Sequence, residues 1–209
     1  MWVDQAYGPV TLLNFKAEEN YGGGIYIDNT AGTGSVTLNS TVAGFTSSVT
    51  NGQGEYGGYG LSIKSRGAVT LTKVDISDGN QIAPGAYINN SSALTSMPVK
   101  VSLSSFNNND GYGLEVVSAG SITVSKVTAN GNKVHGVYLY NNLPLLPGQV
   151  YMPITILNST FNKNGDSGAE IYSNRTITIS SITASGNFGN GVYLENIDDF
   201  ASSVLVSGK

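Results

Sequence analysis

The chain contains no cysteine, one histidine, one tryptophan and two arginines among its 209 residues. Without cysteine there is no disulfide framework and no thiolate metal site. Charge is scarce too. Asp, Glu, Lys and Arg make up 11% of the chain, against roughly 25% in an average soluble domain. Exposed helix faces are built from Ala, Glu, Lys, Leu and Arg, so their scarcity all but excludes a helical protein. The net charge of −4 leaves nothing to neutralise phosphates and excludes a basic nucleic-acid binder. No stretch approaches the ~20 apolar residues of a membrane span. The first ten residues, MWVDQAYGPV, have neither the basic start nor the apolar run of a secretion signal, which a processed chain would equally lack.

Gly (27) and Asn (22) fill the vacated places, and a 40% hydrophobic share with 12 tyrosines argues against disorder. Their arrangement is repetitive. A Gly followed by alternating apolar residues recurs at Gly24, Gly60, Gly85, Gly113, Gly136, Gly168 and Gly191. Between these lie further period-2 segments, clearest as VTLTKV from Val69, ITVSKV from Ile122 and ITISSI from Ile177. An Asn stands four residues before the Gly at Asn20, Asn109, Asn132, Asn164 and Asn187, with Asn80 five before its own. Short strands returning at about 23 residues per lap describe the coils of a parallel β-solenoid, in which a coil buries its apolar face only by stacking. Ile25, Leu61, Ala86, Leu114, Val137, Ala169 and Val192 then form one inward ladder. The Asn residues stack at a turn, each side chain bonding the next. An antiparallel sandwich has short strands as well, but does not explain why Gly, Asn and apolar positions keep phase over seven laps.

The gap after each Gly-led strand alternates between six residues and nine or more, so the true repeat spans two coils. It starts at Val10, Val69, Ile122 and Ile177, spaced 53 to 59 residues apart. Outward positions follow the same rule. Tyr26, Tyr87, Tyr138 and Tyr193 share one position, which Ser62, Glu115 and Glu170 occupy in the alternate coils. Thr11, Thr70, Thr123 and Thr178 share another, extended by Thr37, Ser102 and Thr155.

Nearly the whole chain resembles the right-handed parallel β-helix repeat proteins of the pectin-lyase-like superfamily. The resemblance rests on the N-x-x-x-G unit with its alternating apolar residues, the I-T-V strand and the L-N-S-T turns at Leu38–Thr41 and Leu157–Thr160. It implies an all-β, right-handed parallel β-helix of about seven to eight coils. It leaves function open, because the family holds polysaccharide lyases and hydrolases, tailspikes, adhesins and non-enzymatic surface proteins.

The residues offer little catalysis. A galacturonan hydrolase of this fold would need N-x-D, a paired Asp, G-H-G and R-x-K in order; here Asp198–Asp199 follow the only histidine. His135 has no acidic neighbour in sequence and reads as a turn or surface histidine. A lyase of this fold would need several carboxylates for calcium on one face and an Arg or Lys base; the only arginines, Arg66 and Arg175, sit in short turns. Glu115 and Glu170 lie two coils apart, roughly 10 Å at about 4.8 Å per strand, beyond an inverting pair of glycosidase carboxylates. The acidic turns Asn107–Gly111 and Asn162–Asp166 hold one carboxylate each and read as Asn-ladder turns rather than calcium loops.

The expectation is thus a non-enzymatic protein with no catalytic residues, no metal and no cofactor. Tyr26, Tyr87, Tyr138 and Tyr193 are the candidate contacts for a partner or a glycan. Residues 1–209 read as a single solenoid without caps, a section of a longer array or a unit that stacks on copies of itself. The natural role is a cell-surface filament, sheath or adhesin stalk outside the cell, self-associating end to end or laterally. The alternatives are a carbohydrate-active or carbohydrate-binding β-helix, and less strongly an ice-binding or tailspike-like protein. N-x-S/T sequons such as those at Asn39, Asn90, Asn158 and Asn174 would be glycan acceptors in a eukaryotic secretory route.

Overall fold

The computed structural model describes residues 1–20, 23–51, 58–78, 83–196 and 203–207. Each coil is a lap of short strands. The first carries β1 (Trp2–Val3), β2 (Val10–Leu13) and β3 (Lys16–Asn20). The second carries β4 (Ile25–Asn29), β5 (Val36–Asn39) and β6 (Ser47–Asn51), and the third β7 (Leu61–Ser65), β8 (Val69–Thr72) and β9 (Val74–Ser77). Two strands per coil follow: β10 (Ala86–Asn89) and β11 (Val99–Ser102), β12 (Leu114–Val117) and β13 (Ile122–Ser125), β14 (Val137–Tyr140) and β15 (Ile154–Leu157). The last four are β16 (Ala169–Ser173), β17 (Ile177–Ser180), β18 (Val192–Asn196) and β19 (Val204–Ser207).

Every strand pairs in parallel with its counterparts one lap away. The first sheet runs β1-β4-β7-β10-β12-β14-β16-β18, and the second β2-β5-β8-β11-β13-β15-β17-β19. A third sheet, β3-β6-β9, continues as single bridges through Ser105, Thr128, Thr160 and Thr183. Eight coils therefore stack as a parallel β-helix with three faces. The third face has no counterpart in the period-2 reading, because after β9 only one residue per lap stays in pairing range and no alternation develops.

The inward ladder runs in the expected register, from Ile25 opposite Leu61 to Ala169 opposite Val192. Its members from Leu61 to Ala169 are fully buried, and Phe106 and Phe161 fill the interior beneath the third face. Each inward Ile or Leu contributes roughly 1.5–3 kcal/mol on burial. The corner into the third face is a single left-handed residue in six coils: Asn14, Lys73, Leu103, Lys126, Asn158 and Ser181, at φ 50–54°. A non-glycine residue costs about 1 kcal/mol there. Inter-coil bonds continue through the corner and offset that cost, as from Lys126 N–H to the Leu157 carbonyl at 2.9 Å.

The Asn ladder forms as expected for Asn109, Asn132, Asn164 and Asn187; Asn20 instead ends β3 opposite Asn51, and Asn80 lies outside the described residues. Each acceptor oxygen takes both the backbone N–H and the side-chain amide of the Asn one coil earlier, at 2.9–3.1 Å. Each amide also donates to a carbonyl further back, as Asn132 Nδ2 does to Phe106 at 3.0 Å. A second ladder was not anticipated. Asn107, Asn130 and Asn162 accept the backbone N–H of Asn130, Asn162 and Ser185 in turn.

Three expectations change. The first strand is Trp2–Val3 rather than the strand at Val10, and Trp2 pairs with Tyr26. The Thr row runs Thr11, Thr37, Thr70, Lys100, Thr123, Thr155, Thr178 and Leu205, so Lys100 stands where Ser102 was placed. Ser102 belongs to the next outward row, because the strand after Met97 opens at Val99. A lysine within the file breaks the flat hydroxyl array that an ice-binding face needs. Among the sequons, Asn90 is fully buried and donates its amide to the Met97 carbonyl at 2.8 Å. A glycan on that nitrogen is incompatible with the fold.

Candidate functional site

The outer face of the first sheet gathers most of the chemistry. The register places Trp2, Tyr26, Ser62, Tyr87, Glu115, Tyr138, Glu170 and Tyr193 in one row. The four candidate tyrosines therefore do share a position, and the alternation with Ser62, Glu115 and Glu170 is real. They are not free platforms at wide intervals, however. Tyr26, Tyr87 and Tyr138 are half-buried, and other rings fill the gaps.

Those fillers stand immediately before the strand-leading Gly. In two of the three coils where the main row lacks a ring, that position supplies one: Tyr59 in the coil of Ser62 and Tyr112 in the coil of Glu115; in the coil of Glu170 it is Ser167. Each leans on the tyrosine of the following coil, Tyr59 on Tyr87 at 5.3 Å between centroids and Tyr112 on Tyr138 at 5.5 Å. Trp2 stacks on Tyr26 at 4.4 Å. Tyr140 and Tyr172 extend the cluster around Tyr138, and Tyr193 meets Tyr172 at 5.8 Å. Each of these rings thus has at least one other ring against it, an arrangement worth about 0.5–1.5 kcal/mol per pair beyond area burial. Tyr59 and Tyr112 carry no repeat signal in the sequence because each sits outside the row whose period gives the repeat away; Trp2 lies in that row, but no Gly precedes its strand to mark the phase.

His135 is the second correction. It is buried, not a surface residue, and its acid comes from the next coil: Nε2 lies 2.7 Å from Glu170 Oε2. The Ser167 N–H donates to Nδ1 at 3.2 Å. That bond keeps the Nδ1 lone pair free to accept, so the neutral ring carries its proton on Nε2 and donates it to Glu170. Glu170 Oε1 accepts the Tyr172 hydroxyl, and the imidazole stacks on Tyr112 at 5.2 Å. Both nitrogens of His135 and both oxygens of Glu170 are thereby engaged. Thirty-five residues separate the pair in sequence, so only lap-on-lap stacking reveals it.

Electrostatics follow from this packing. Desolvation, then the charge of Glu170, pushes the Tyr138 hydroxyl up to about 12. Tyr172 is raised first by its hydrogen bond to Glu170, since ionisation would break the bond and set two anions together. Desolvation raises the Glu115 carboxyl. Two coils, roughly 10 Å of sheet, separate Glu115 from Glu170, with Tyr138 between them.

Elsewhere, Asp110 of the first acidic turn pairs with Lys133 at 2.7 Å, and Asp166 of the second lies 3.9 Å from His135 Nδ1. Among the described residues no three His, Cys, Asp or Glu side chains converge to hold a metal ion. Where Ser62 replaces a ring, a cavity of about 430 Å³ opens, lined among others by Trp2, Tyr26, Tyr59 and Ser62. The long loops interlock across the intervening coil. Gln149 Nε2 donates to the Ser91 and Ala93 carbonyls at 3.0 and 2.8 Å, and Ser96 exchanges hydrogen bonds with Val150.

No curated protein and no solved structure matches the chain. The family model for the right-handed β-helix region matches residues 2–205, and the chain belongs to that family.

Proposed function

We propose that this chain is a non-enzymatic β-solenoid of the cell exterior that serves as a rigid section of a surface filament, sheath or adhesin stalk. One observation carries the reading. On the face richest in chemistry, the only histidine and its glutamate spend every side-chain nitrogen and oxygen on one another, on Ser167 and on Tyr172. A general base must reach the proton it abstracts, and here every basic atom of the pair is already held by a protein partner. The scarcity of charge fits lateral packing of solenoids with little mutual repulsion. The interlocked loops of Asn89–Pro98 and Tyr140–Pro153 present a continuous surface for partner contacts. Electron micrographs of the purified chain test the reading: uniform fibres with a repeat set by the coil count are expected. Dispersed monomers that depolymerise a polysaccharide would overturn it.

A second reading has its own observation. The cavity over Ser62 is walled by aromatic rings, as pyranose-binding clefts are. Acidic side chains at Asp28, Glu115, Glu170 and Glu195 share this face, so a neutral glycan suits it better than a uronate. Calorimetry with neutral oligosaccharides against the wild type and Y26S decides it: binding lost in Y26S supports a glycan site, and no binding by either protein removes it.

A further inference from the structure

Glu115 is the carboxylate on the first sheet's outer face with no hydrogen-bond or ion-pair partner among the described residues, whereas Glu170 is closed by His135 and Tyr172. Its surroundings are aromatic. Tyr87 and Tyr138 are its neighbours on the adjoining strands, and Tyr112 stands three residues before it. These rings are held in place by other contacts. The Tyr87 hydroxyl accepts Asn89 Nδ2 at 2.8 Å, and Tyr87 stacks on Tyr59. Tyr112 packs against both His135 and Tyr138. The stack Tyr59–Tyr87 ends on one side of Glu115 and the stack Tyr112–Tyr138 begins on the other. Glu115 therefore occupies the break between two rigid aromatic groups.

A half-buried carboxylate without a cation is an unbalanced charge, and its neighbours register it. After desolvation, the charge of Glu115 is the next cause raising the hydroxyls of both Tyr59 and Tyr112. The other charges that raise the Tyr112 hydroxyl are themselves acidic, Glu170 and Asp166, and His135 is already committed to them. The local potential is negative and the neighbouring side chains are aromatic. That combination attracts a weakly hydrated organic cation rather than a metal ion, which would need several oxygen ligands.

We propose that Glu115, with the rings of Tyr87, Tyr112 and Tyr138, forms a binding site for a small alkylammonium cation, the carboxylate supplying the counter-charge and the rings the cation–π contacts. The site is independent of the filament reading, since a monomeric chain presents it equally.

The test titrates the full chain with choline, following the tyrosine ring resonances by NMR, and repeats the titration with 3,3-dimethylbutan-1-ol, an uncharged isostere. Saturable binding of choline, with the alcohol at least about tenfold weaker, is expected. E115Q should lose about tenfold or more in choline affinity while keeping its circular dichroism spectrum, and E195Q, which removes a charge elsewhere on this face, should bind choline within about twofold of wild type. Co-sedimentation with phosphatidylcholine vesicles, if it accompanies choline binding, identifies a lipid headgroup as the source of the cation; choline binding without it identifies a free solute. The proposal is overturned if choline does not saturate, if the alcohol binds equally well, or if E115Q and E195Q behave alike.

Discussion

Asn132→Ala tests whether the Asn ladder holds the coils together. The side chain is 1% exposed. Its oxygen accepts Asn109 N–H at 2.9 Å and Asn109 Nδ2 at 3.0 Å, and its amide donates to the Phe106 carbonyl at 3.0 Å and to Asn164 Oδ1 at 3.1 Å. Truncation spares some partners. Asn109 Nδ2 keeps the Ile76 carbonyl at 3.2 Å, and Asn164 Oδ1 keeps the Asn132 N–H at 3.0 Å. Two buried groups lose this partner, the Asn109 N–H and the Phe106 carbonyl. At about 1–3 kcal/mol for each group that loses its partner, the expected loss is about 2–6 kcal/mol. The equivalent change at Asn187, which is half-exposed and lets water replace what is removed, should cost about 1–2 kcal/mol. Urea unfolding at matched m-values measures both. A loss below about 1 kcal/mol for N132A, or equal losses at the two sites, would refute the claim that buried amide pairing carries the ladder.

Three further outcomes are expected. Gly120→Ala should destabilise by about 3 kcal/mol or more, because its Cβ would stand 1.9 Å from the Met97 carbonyl oxygen, whereas Gly8→Ala meets nothing within 4 Å and should be neutral; thermal melts of the two compare them directly. Tyr138 is raised from 10.0 to about 12, so its contribution is complete below about pH 10 and disappears as pH climbs through 12; Y138F should show a shallower loss of stability over that window in alkaline unfolding. Glu115 is also raised, from 4.5, by desolvation, so the fold is favoured below that value and penalised once the carboxyl ionises. E115Q should therefore be the more stable protein at pH 7 and lose its advantage near pH 4; a less stable E115Q at pH 7 contradicts the desolvation argument.

The sequence spoke clearly about residues that repeat and weakly about residues that merely meet. Ile25 through Val192 were legible as one ladder because a strand alternates with period 2 and the Gly before it marks the phase. Tyr26, Tyr87, Tyr138 and Tyr193 emerged from the same phase. The third face did not, since one bridged residue per lap leaves no pattern. The misplacement of Ser102 has a similar origin: in the strand after Met97 the outward position holds Lys100, and a hydroxyl two residues later looked like its substitute.

What the sequence determined alone is the coil: which residues point inward, where each lap turns, and that laps must stack, since a single one cannot bury its apolar side. What only the tertiary structure decided is who meets across laps. Stacking brings residues 23 to 36 positions apart to within one strand spacing, and the loop lengths that set this offset vary from lap to lap. His135 therefore found Glu170, Tyr59 and Tyr112 completed the aromatic row, and Glu115 was left alone between them.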